Sequence, residues 1–474
     1  MRLADGGWHR MHPLTPVVRS WRILVVVLIY FGHSASNDLG DGAWWRDLRD
    51  SGSSGWIIPI ISGVLLLILL VGGGLAYGWW RASRFRVGPE SLELYRGILF
   101  RQHRSARLDR VQTIEVAQPF VARLAGLARL TLEVAGGSNS NVKLEFLTED
   151  DAQSLRNHLL ARAAGLRYDE SEEAPEAPEH EVAEVPVPRL MISLALSGPM
   201  IALVAVLAAL VVLSVLAHSP GPFFGAVPAL LGAAGLVWGR FNGGFNFRIA
   251  TSPDGLRLRY GLLEHRAQTV PPGRVQAVRL AQPLLWRLQD WWTVEVNIAG
   301  QIHGSGQQQT ETAYRLLPVA TRSEAMRVLS LVLPDLGVRP PHDPWEVVRA
   351  GMSGSRPHEG YLVAPSRARW VDPVGWRRTG VRVTEHALLI RRGRIRRLLD
   401  VVPHARTQSL GLAQGPLQRQ MDVASFVLHS TPGPVRPVVP HLDARIAAQL
   451  LADQALRAEG ARTVAGPERW MEQL

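Results

Sequence analysis

Long apolar runs without formal charge dominate the first half of the chain and predict membrane-spanning helices. Ile57–Trp80, Leu190–Ala217 and Phe223–Trp238 contain no Asp, Glu, Lys or Arg. About 20 apolar residues cross a hydrocarbon core as a helix, and only His218–Pro222 separates the last two runs. Ile23–Phe31 is a shorter apolar run. The pattern therefore predicts two transmembrane helical hairpins, within residues 1–83 and 190–241.

The first apolar run has two interpretations. Arg19 and Arg22 precede Ile23–Phe31, and small residues follow it at Ser34–Ser36. A basic start, a short apolar core and small residues are also typical of a signal peptide. Residues 21–35 therefore either span the membrane or act as a signal segment, and both alternatives place the next loop outside.

Arginine placement predicts the orientation of the hairpins, because the cytoplasmic loops of membrane proteins are enriched in Lys and Arg. The arginines that flank the predicted spans on one side are Arg2, Arg10, Arg19, Arg22, Arg81, Arg84, Arg86, Arg189, Arg240 and Arg248. We expect a multi-pass protein of the cell (inner) membrane, with both termini and all folded domains in the cytoplasm.

One pattern of residues occurs three times outside the apolar runs. In every copy an arginine lies 13 positions after a glycine, and a glutamine lies 8 positions after that arginine. The shared positions are Gly97, Arg110, Gln112 and Gln118 in the first copy, Gly261, Arg274, Gln276 and Gln282 in the second, and Gly393, Arg406, Gln408 and Gln414 in the third. Matching offsets at matching residue types indicate an internal repeat.

Each copy has the pattern of antiparallel strands followed by one helix. Apolar and polar residues alternate before the shared glycine, which favours a half-buried strand that ends in a hairpin turn. Thr148 with Asp151, and Thr321 with Glu324, resemble capping boxes at the start of a terminal amphipathic helix. The predicted fold class is therefore membrane helical hairpins plus α+β, with each repeat a strand barrel that its C-terminal helix plugs.

The predicted order along the chain alternates membrane hairpins and repeats. The repeats occupy residues 84–164, 242–335 and 378–460, and the third has no hairpin before it. Residues 165–189 are acidic and proline-rich, which favours a disordered linker. Residues 336–377 form a connector that we expect to lie against the membrane or the other domains, and residues 461–474 form a tail.

The composition of the chain excludes several kinds of chemical site. Among the 474 residues there is no cysteine, which excludes disulfides and cysteine-ligated metal centres. The net charge of +11 comes almost entirely from arginine, and for a membrane protein it indicates proximity to anionic lipid rather than nucleic acid. No phosphate-binding loop, zinc helix or nucleophile elbow is present. We therefore expect neither enzyme activity nor a cofactor.

One basic cluster is a candidate site: Arg391, Arg392, Arg394, Arg396 and Arg397. Five arginines at a predicted hairpin form either a patch for an anionic lipid or acidic protein partner, or a solvated, charge-rich turn. The shared arginines and glutamines of the repeats could likewise bind a ligand in each copy, although pairing with backbone groups at a strand corner is the favoured explanation.

Several segments resemble the bacterial pleckstrin-homology-like (PH-like) membrane proteins of the YdbS/YdbT-like group. They are Met11–Pro16 before the first span, Val402–Leu410, Gln414–Arg419, and Thr431–Val435. The resemblance covers most of the chain. It implies a PH-like fold for each repeat, a bent antiparallel barrel capped by a helix, and it implies no catalytic residues.

Three functions of different classes remain open after the sequence alone. The absence of catalytic motifs disfavours one of them, an enzyme with an unrecognised site. Of the other two, the first is a membrane-tethered binding or scaffold protein whose repeats gather a protein or anionic lipid partner, with homo-oligomers as a further possibility. The alternative is a component of a membrane transport or export system. The predicted spans lack the buried acids and bases that line transport pathways, which favours the first function.

Overall fold

The computed structural model describes residues 6–18, 57–88, 90–97, 101–108, 111–134, 142–163, 180–219, 221–252, 255–270, 273–299, 314–355 and 360–464. The first predicted span, its signal-peptide alternative and the following loop lie outside the described residues, as does Arg110. The described residues up to Ala163 form one compact unit, and those from His180 onward form a second.

The first unit holds repeat one. Its elements are β1 (His9–Arg10), α1 (Ile57–Ala82), β2 (Arg84–Val87), β3 (Ser91–Arg96), β4 (Gln102–Arg107), β5 (Val111–Gln118), α2 (Phe120–Leu124), β6 (Leu127–Val134), β7 (Val142–Thr148) and α3 (Glu149–Ala163). Strands β1 to β4 pair antiparallel in sequence order, and so do β5 to β7. Both sets of strands and α3 contribute to one core, with Phe85, Ile114 and Leu155 fully buried.

The second unit begins with repeat two. Its elements are β8 (His180–Glu184), α4 (Val187–Ala195), α5 (Gly198–Leu216), α6 (Gly221–Gly244), β9 (Arg248–Ser252), β10 (Gly255–Tyr260), β11 (His265–Val270), β12 (Val275–Gln282), a 3-10 helix (Leu285–Leu288), β13 (Trp291–Ile298), β14 (Arg315–Thr321) and α7 (Arg322–Val332). Strands β8 to β11 form an antiparallel series, and β12 to β14 form another.

Repeat three follows a connector helix. The elements are α8 (Pro344–Ser353), β15 (Leu362–Val363), a 3-10 helix (Ser366–Trp370), β16 (Gly380–Val383), β17 (Ala387–Arg392), β18 (Arg397–Pro403), a 3-10 helix (His404–Arg406), β19 (Ser409–Ala413), α9 (Pro416–Gln420), β20 (Val423–His429), β21 (Val438–Asp443) and α10 (Ala444–Val464). Four strands, then three strands, then a helix recur as in the other copies. The structure thus confirms three strand-rich repeats that each end in a helix.

Local chemistry explains where the terminal helices begin. Thr321 Oγ1 accepts from the backbone N–H of Glu324, whose carboxylate accepts from the backbone N–H of Thr321. The N–H of Asp151 donates to Thr148 Oγ1 at 3.3 Å. These contacts satisfy helix N–H groups that have no partner within the helix, so the residues predicted as capping boxes do mark the helix starts.

Two predicted boundaries were wrong because first strands were assigned to connecting segments. His180–Glu184, within the expected disordered linker, forms β8 and pairs with β9. Ala183 is buried in the core of repeat two, which compensates for ordering this short acidic strand. Likewise Leu362–Val363, within the expected connector, pairs with β16. The first strand of repeats two and three therefore lies earlier in the chain than predicted.

The predicted span Leu190–Ala217 is divided into two helices. Pro199, which cannot donate a backbone hydrogen bond, lies in the first turn of α5. Helix α4 packs on the domain instead, because Leu190 is buried there and Arg189 pairs with Glu324 at 2.6 Å. Within the described residues, one helix, Gly198–Leu216, is long and apolar enough to cross a membrane.

Repeats two and three share one continuous antiparallel sheet. Strand β12 pairs with β18 over five residue pairs, from Val278 opposite Val401 to Gln282 opposite Arg397. This β12–β18 junction, hereafter the seam, places residues of both repeats on one surface. Repeats two and three therefore contact each other directly.

A buried ion pair crosses the seam. The Arg279 guanidinium donates to both carboxylate oxygens of Asp400, at 2.6 and 3.0 Å, and Arg392 donates to Asp400 at 3.1 Å. The Asp400 side chain is fully buried. Burying a carboxylate is costly unless it is paired with hydrogen-bond donors, so these contacts offset the burial of Asp400 at the seam.

Candidate functional site: an arginine-lined cleft

The five clustered arginines of the β17–β18 hairpin have different environments. Arg391 is fully buried, and its guanidinium lies 4.5 Å from the ring centre of Tyr361. Arg392 pairs with Asp400 in the seam, and Arg396 lies 3.1 Å from Glu295. These three arginines contact an aromatic or acidic side chain, whereas Arg394 and Arg397 line a cleft.

That cleft, hereafter the arginine cleft, has a volume of about 610 Å³. Its charged lining residues are Arg287, Arg377, Arg378, Arg394 and Arg397. Ser353, Ser355 and Trp376 also line it, and none of its described lining residues is acidic. None of the five arginines forms an ion pair with another described residue. Burial lowers the pKa of Arg397 and the nearby Asp290 carboxylate opposes this shift, but Asp290 is itself paired with Arg322. The five guanidiniums around the cavity therefore outnumber the nearby carboxylate, which suits an anion.

Different elements bring these arginines together. Arg287, on the 3-10 helix after β12, donates to the backbone oxygens of Arg394 and Ile395. Arg397, the first residue of β18, donates to Gln282 Oε1 at 3.2 Å. Repeat two thus supports the hairpin of repeat three at the edge of the cleft.

Arg378 forms the floor of the cleft. Its guanidinium donates to the backbone oxygens of Gly351, Met352 and Gly354, at 2.7 to 2.8 Å. These carbonyls belong to the C-terminal end of α8, where free carbonyls and the helix dipole favour a cation. Arg378 is only 4% exposed, and its Nε has no hydrogen-bond partner among the described residues.

The electrostatics of the cleft favour an anionic ligand. Burial and the nearby Arg397, Arg391 and Arg287 lower the pKa of Arg378 to about 9. Burial, and then Arg397 and Arg394, also lower the pKa of Arg287. Both lowered pKa values mean that the arginine cleft disfavours the charged form of these guanidiniums. A bound anion would offset the mutual repulsion of the guanidiniums.

The shared glycines of the repeats have a structural role. Gly97, Gly261 and Gly393 have φ angles of 101°, 115° and 75°, in the region that disfavours side chains. Each glycine directly follows a strand. A Cβ at Gly261 would lie 1.9 Å from the backbone oxygen of Glu264. The predicted hairpin turns at these positions are confirmed.

The shared arginines and glutamines do not meet at the arginine cleft as a group. Burial lowers the pKa of Arg274, and burial together with Arg274 lowers the pKa of Arg406, so these two arginines lie near each other. Gln276 donates to the Arg274 backbone oxygen at 3.5 Å, and Gln414 donates to the Val423 oxygen at 3.2 Å.

The remaining glutamines have mixed positions. Gln118 and Gln282 are buried at the ends of β5 and β12. Gln282 contacts the cleft residue Arg397. Gln408 is exposed, and its backbone N–H donates to the His429 oxygen at 2.9 Å. Gln112 lies on β5, and its side chain is not among those described. Whether the shared residues bind a ligand stays a prediction.

A second cavity, of about 820 Å³, is lined by other residues of the β17–β18 hairpin. Ser197 and Ile201 line it from the beginning of α5, and Ile395 and Arg396 line it from the hairpin. Trp286 also lines it and donates to the Ser193 backbone oxygen at 2.9 Å. The tip of the hairpin therefore lines both this cavity at the base of α5 and the arginine cleft.

Three cleft residues were not predicted from the sequence: Arg287, Arg377 and Arg378. Arg287 is more than 100 positions from Arg394, so only the pairing of β12 with β18 reveals their proximity. The run Trp376–Arg377–Arg378 was the available signal, because adjacent arginines beside an aromatic residue are frequent in anion and interface sites.

Comparison with known proteins agrees with the fold. The family model described as bacterial PH domain matches residues 37–163, 189–333 and 360–457. The UPF0699 transmembrane protein YdbT of Bacillus subtilis (strain 168) is 22% identical over 288 residues, which cover 54% of this chain and 57% of that protein. The chain thus spans just over half the length of this curated relative. No solved structure matches the chain.

Proposed function

Because the chain belongs to the bacterial PH domain family, we propose that it is a membrane-tethered binding protein that recognises an anionic group in the arginine cleft. Two transmembrane hairpins anchor it in the cell membrane, and its three PH repeats face the cytoplasm. The apolar helix α5 and the similarity to a transmembrane protein support the membrane anchor.

The convergence of arginines is the observation that carries the proposal. Three separate segments contribute Arg287, Arg377 with Arg378, and Arg394 with Arg397 to one cavity. Concentrating guanidiniums costs folding free energy unless a ligand or counter-charge is present. Arginine also donates several hydrogen bonds in a planar arrangement that suits phosphate and carboxylate oxygens.

Binding of pyrophosphate to the full-length protein in detergent micelles tests this role. We expect Arg377→Gln with Arg394→Gln to weaken binding by about tenfold or more, because hydrogen bonds to charged groups contribute about 1.5–3 kcal/mol. Both side chains are exposed, so the fold should survive. Affinity should also fall with added salt.

A matched double variant separates site binding from general charge. Arg419→Gln with Arg445→Gln removes the same two charges from exposed positions of α9 and α10. It should bind pyrophosphate as well as the parent does. Equal weakening by both double variants would show that pyrophosphate affinity depends only on the net charge of the protein. This result would contradict the proposal.

The proposed topology has its own test. Reporters fused after Gly261 and Gly393 should indicate the cytoplasm, and a reporter inserted near Ser53 should indicate the outside, because arginines flank the opposite side of the spans. An external signal from either repeat would refute the cytoplasmic orientation, whatever the cleft binds.

A further inference from the structure

We propose that repeat three docks on the cytoplasmic leaflet of the same membrane, with anionic lipid headgroups in the arginine cleft. The docking surface consists of residues 364–379, the 3-10 helix Leu285–Leu288 and the tip of the β17–β18 hairpin. This inference rests on the proposed function, in which the cleft binds an anion. It adds that the anion is a lipid headgroup.

The order of strands gives the first reason. In each repeat the first strand pairs antiparallel with the second: β1 with β2, β8 with β9, and β15 with β16. In repeats one and two the chain between these strands contains the apolar helices α1, α5 and α6. In repeat three only residues 364–379 lie between them. This segment therefore joins the first two strands at the position where the other copies have their apolar helices.

The two cavities give the second reason. Ile395 and Arg396 line the cavity that Ser197 and Ile201 close at the beginning of α5. The adjacent residues Arg394 and Arg397 line the arginine cleft together with residues 376–378. One four-residue tip thus borders both the base of a membrane-crossing helix and the segment 364–379. The arginine cleft accordingly lies at the membrane-proximal end of the second unit.

The composition of the docking surface gives the third reason. Leu288, Ile395 and Trp370 are 78%, 64% and 70% exposed. Arg369 lies 5.1 Å from the Trp370 ring centre, and Arg377 lies 5.4 Å from that of Trp376. Tryptophan is enriched at membrane interfaces, and arginine beside it pairs with anionic headgroups.

A lipid surface explains more of this chemistry than an acidic protein does. The arginines alone would suit either partner. An acidic peptide bound in the cleft gives no reason for the exposed Leu288 and Ile395, which directly follow two cleft arginines in the chain. A leaflet, in contrast, receives apolar side chains below its phosphates. The hairpin tip also lines the cavity at the base of α5. The docking surface therefore lies close to the bilayer without any further partner.

The absence of cysteine permits a direct test. Leu288→Cys introduces one fluorophore site at the docking surface of the full-length protein, and Leu456→Cys places a control on α10, where the side chain is 69% exposed. The labelled proteins are reconstituted in vesicles of phosphatidylcholine alone or with 30% phosphatidylglycerol, and quenching by brominated acyl chains is measured. We expect strong quenching at residue 288 only with phosphatidylglycerol, and none at residue 456.

The arginine variants then connect docking to the cleft. Each arginine near an anionic surface is worth about fivefold in binding, so Arg377→Gln with Arg394→Gln should lower the docked-to-undocked ratio by about 25-fold. Arg419→Gln with Arg445→Gln should leave quenching at residue 288 unchanged. Quenching that survives the first pair would show that headgroups do not occupy the cleft and would overturn the inference.

The two proposals can fail separately. If residue 288 stays unquenched in both kinds of vesicle while pyrophosphate still binds the cleft, membrane docking is refuted and an acidic protein becomes the partner. If pyrophosphate does not distinguish the cleft variant from its control, the proposed function fails first, and quenching at residue 288 would then report apolar insertion alone.

Discussion

Replacing Asp400 by asparagine should weaken the seam between repeats two and three by about 3 kcal/mol. The Asp400 side chain is fully buried and accepts hydrogen bonds from Arg279 and Arg392. Removing one member of a buried ion pair costs about 3–5 kcal/mol, because the remaining charge has no counter-ion. The lower end applies here, since Arg392 is 23% exposed and regains some water.

Pulse proteolysis of the full-length protein in micelles measures this change without assuming two-state unfolding of the whole chain. A loss of about 3 kcal/mol raises the cleavable population roughly 100-fold. Glu184→Gln, at the exposed pair with Arg248, is the control and should cost less than about 1 kcal/mol. Equal protection of Asp400→Asn and Glu184→Gln would refute the role of the buried pair in the seam.

Two further predictions concern repeat three. Burial lowers the pKa of His404 from its usual 6.5, with Nε2 beside the Thr384 oxygen and Nδ1 beside the Gln454 amide. The unfolded chain therefore takes up the proton first, so stability should fall as the pH drops below about 6.5. His404→Gln should reduce this fall in stability between pH 7.5 and 5.5, as measured by urea titrations. An equal fall in the variant and the parent would contradict this role of His404. Gly433→Ala should open the seam in hydrogen exchange, because a Cβ would lie 2.1 Å from Asn297 Oδ1; unchanged protection of β12 would argue otherwise.

The repeat and its turns could be predicted because they depend on local residue chemistry. Gly97, Gly261 and Gly393 recur at one spacing, and each has the positive φ that a turn after a strand requires. The first strands could not be predicted in this way. His180–Glu184 is acidic and follows a proline-rich stretch, so its composition indicates disorder. Only pairing with β9 and burial of Ala183 give it order.

The arginine cleft was predicted only in part. Arg394 and Arg397 belong to a cluster that is visible in the sequence, but the same cluster includes Arg391, which is buried against Tyr361. Spacing in the sequence does not separate an arginine that faces a cavity from one that packs on a ring. Arg287 and Arg378 join the site through the seam and through α8, contacts that join residues far apart in the chain.

An anomalous-scattering map of crystals of the full-length protein with tungstate tests anion recognition by the arginine cleft most directly. Tungstate is a tetrahedral oxyanion, so it presents the oxygen arrangement of a phosphate group. We expect an anomalous peak within hydrogen-bond distance of Arg377, Arg378 and Arg394. This peak should be absent in the double variant Arg377→Gln with Arg394→Gln. Tungstate peaks at other arginines with an empty cleft in the parent protein would contradict this expectation.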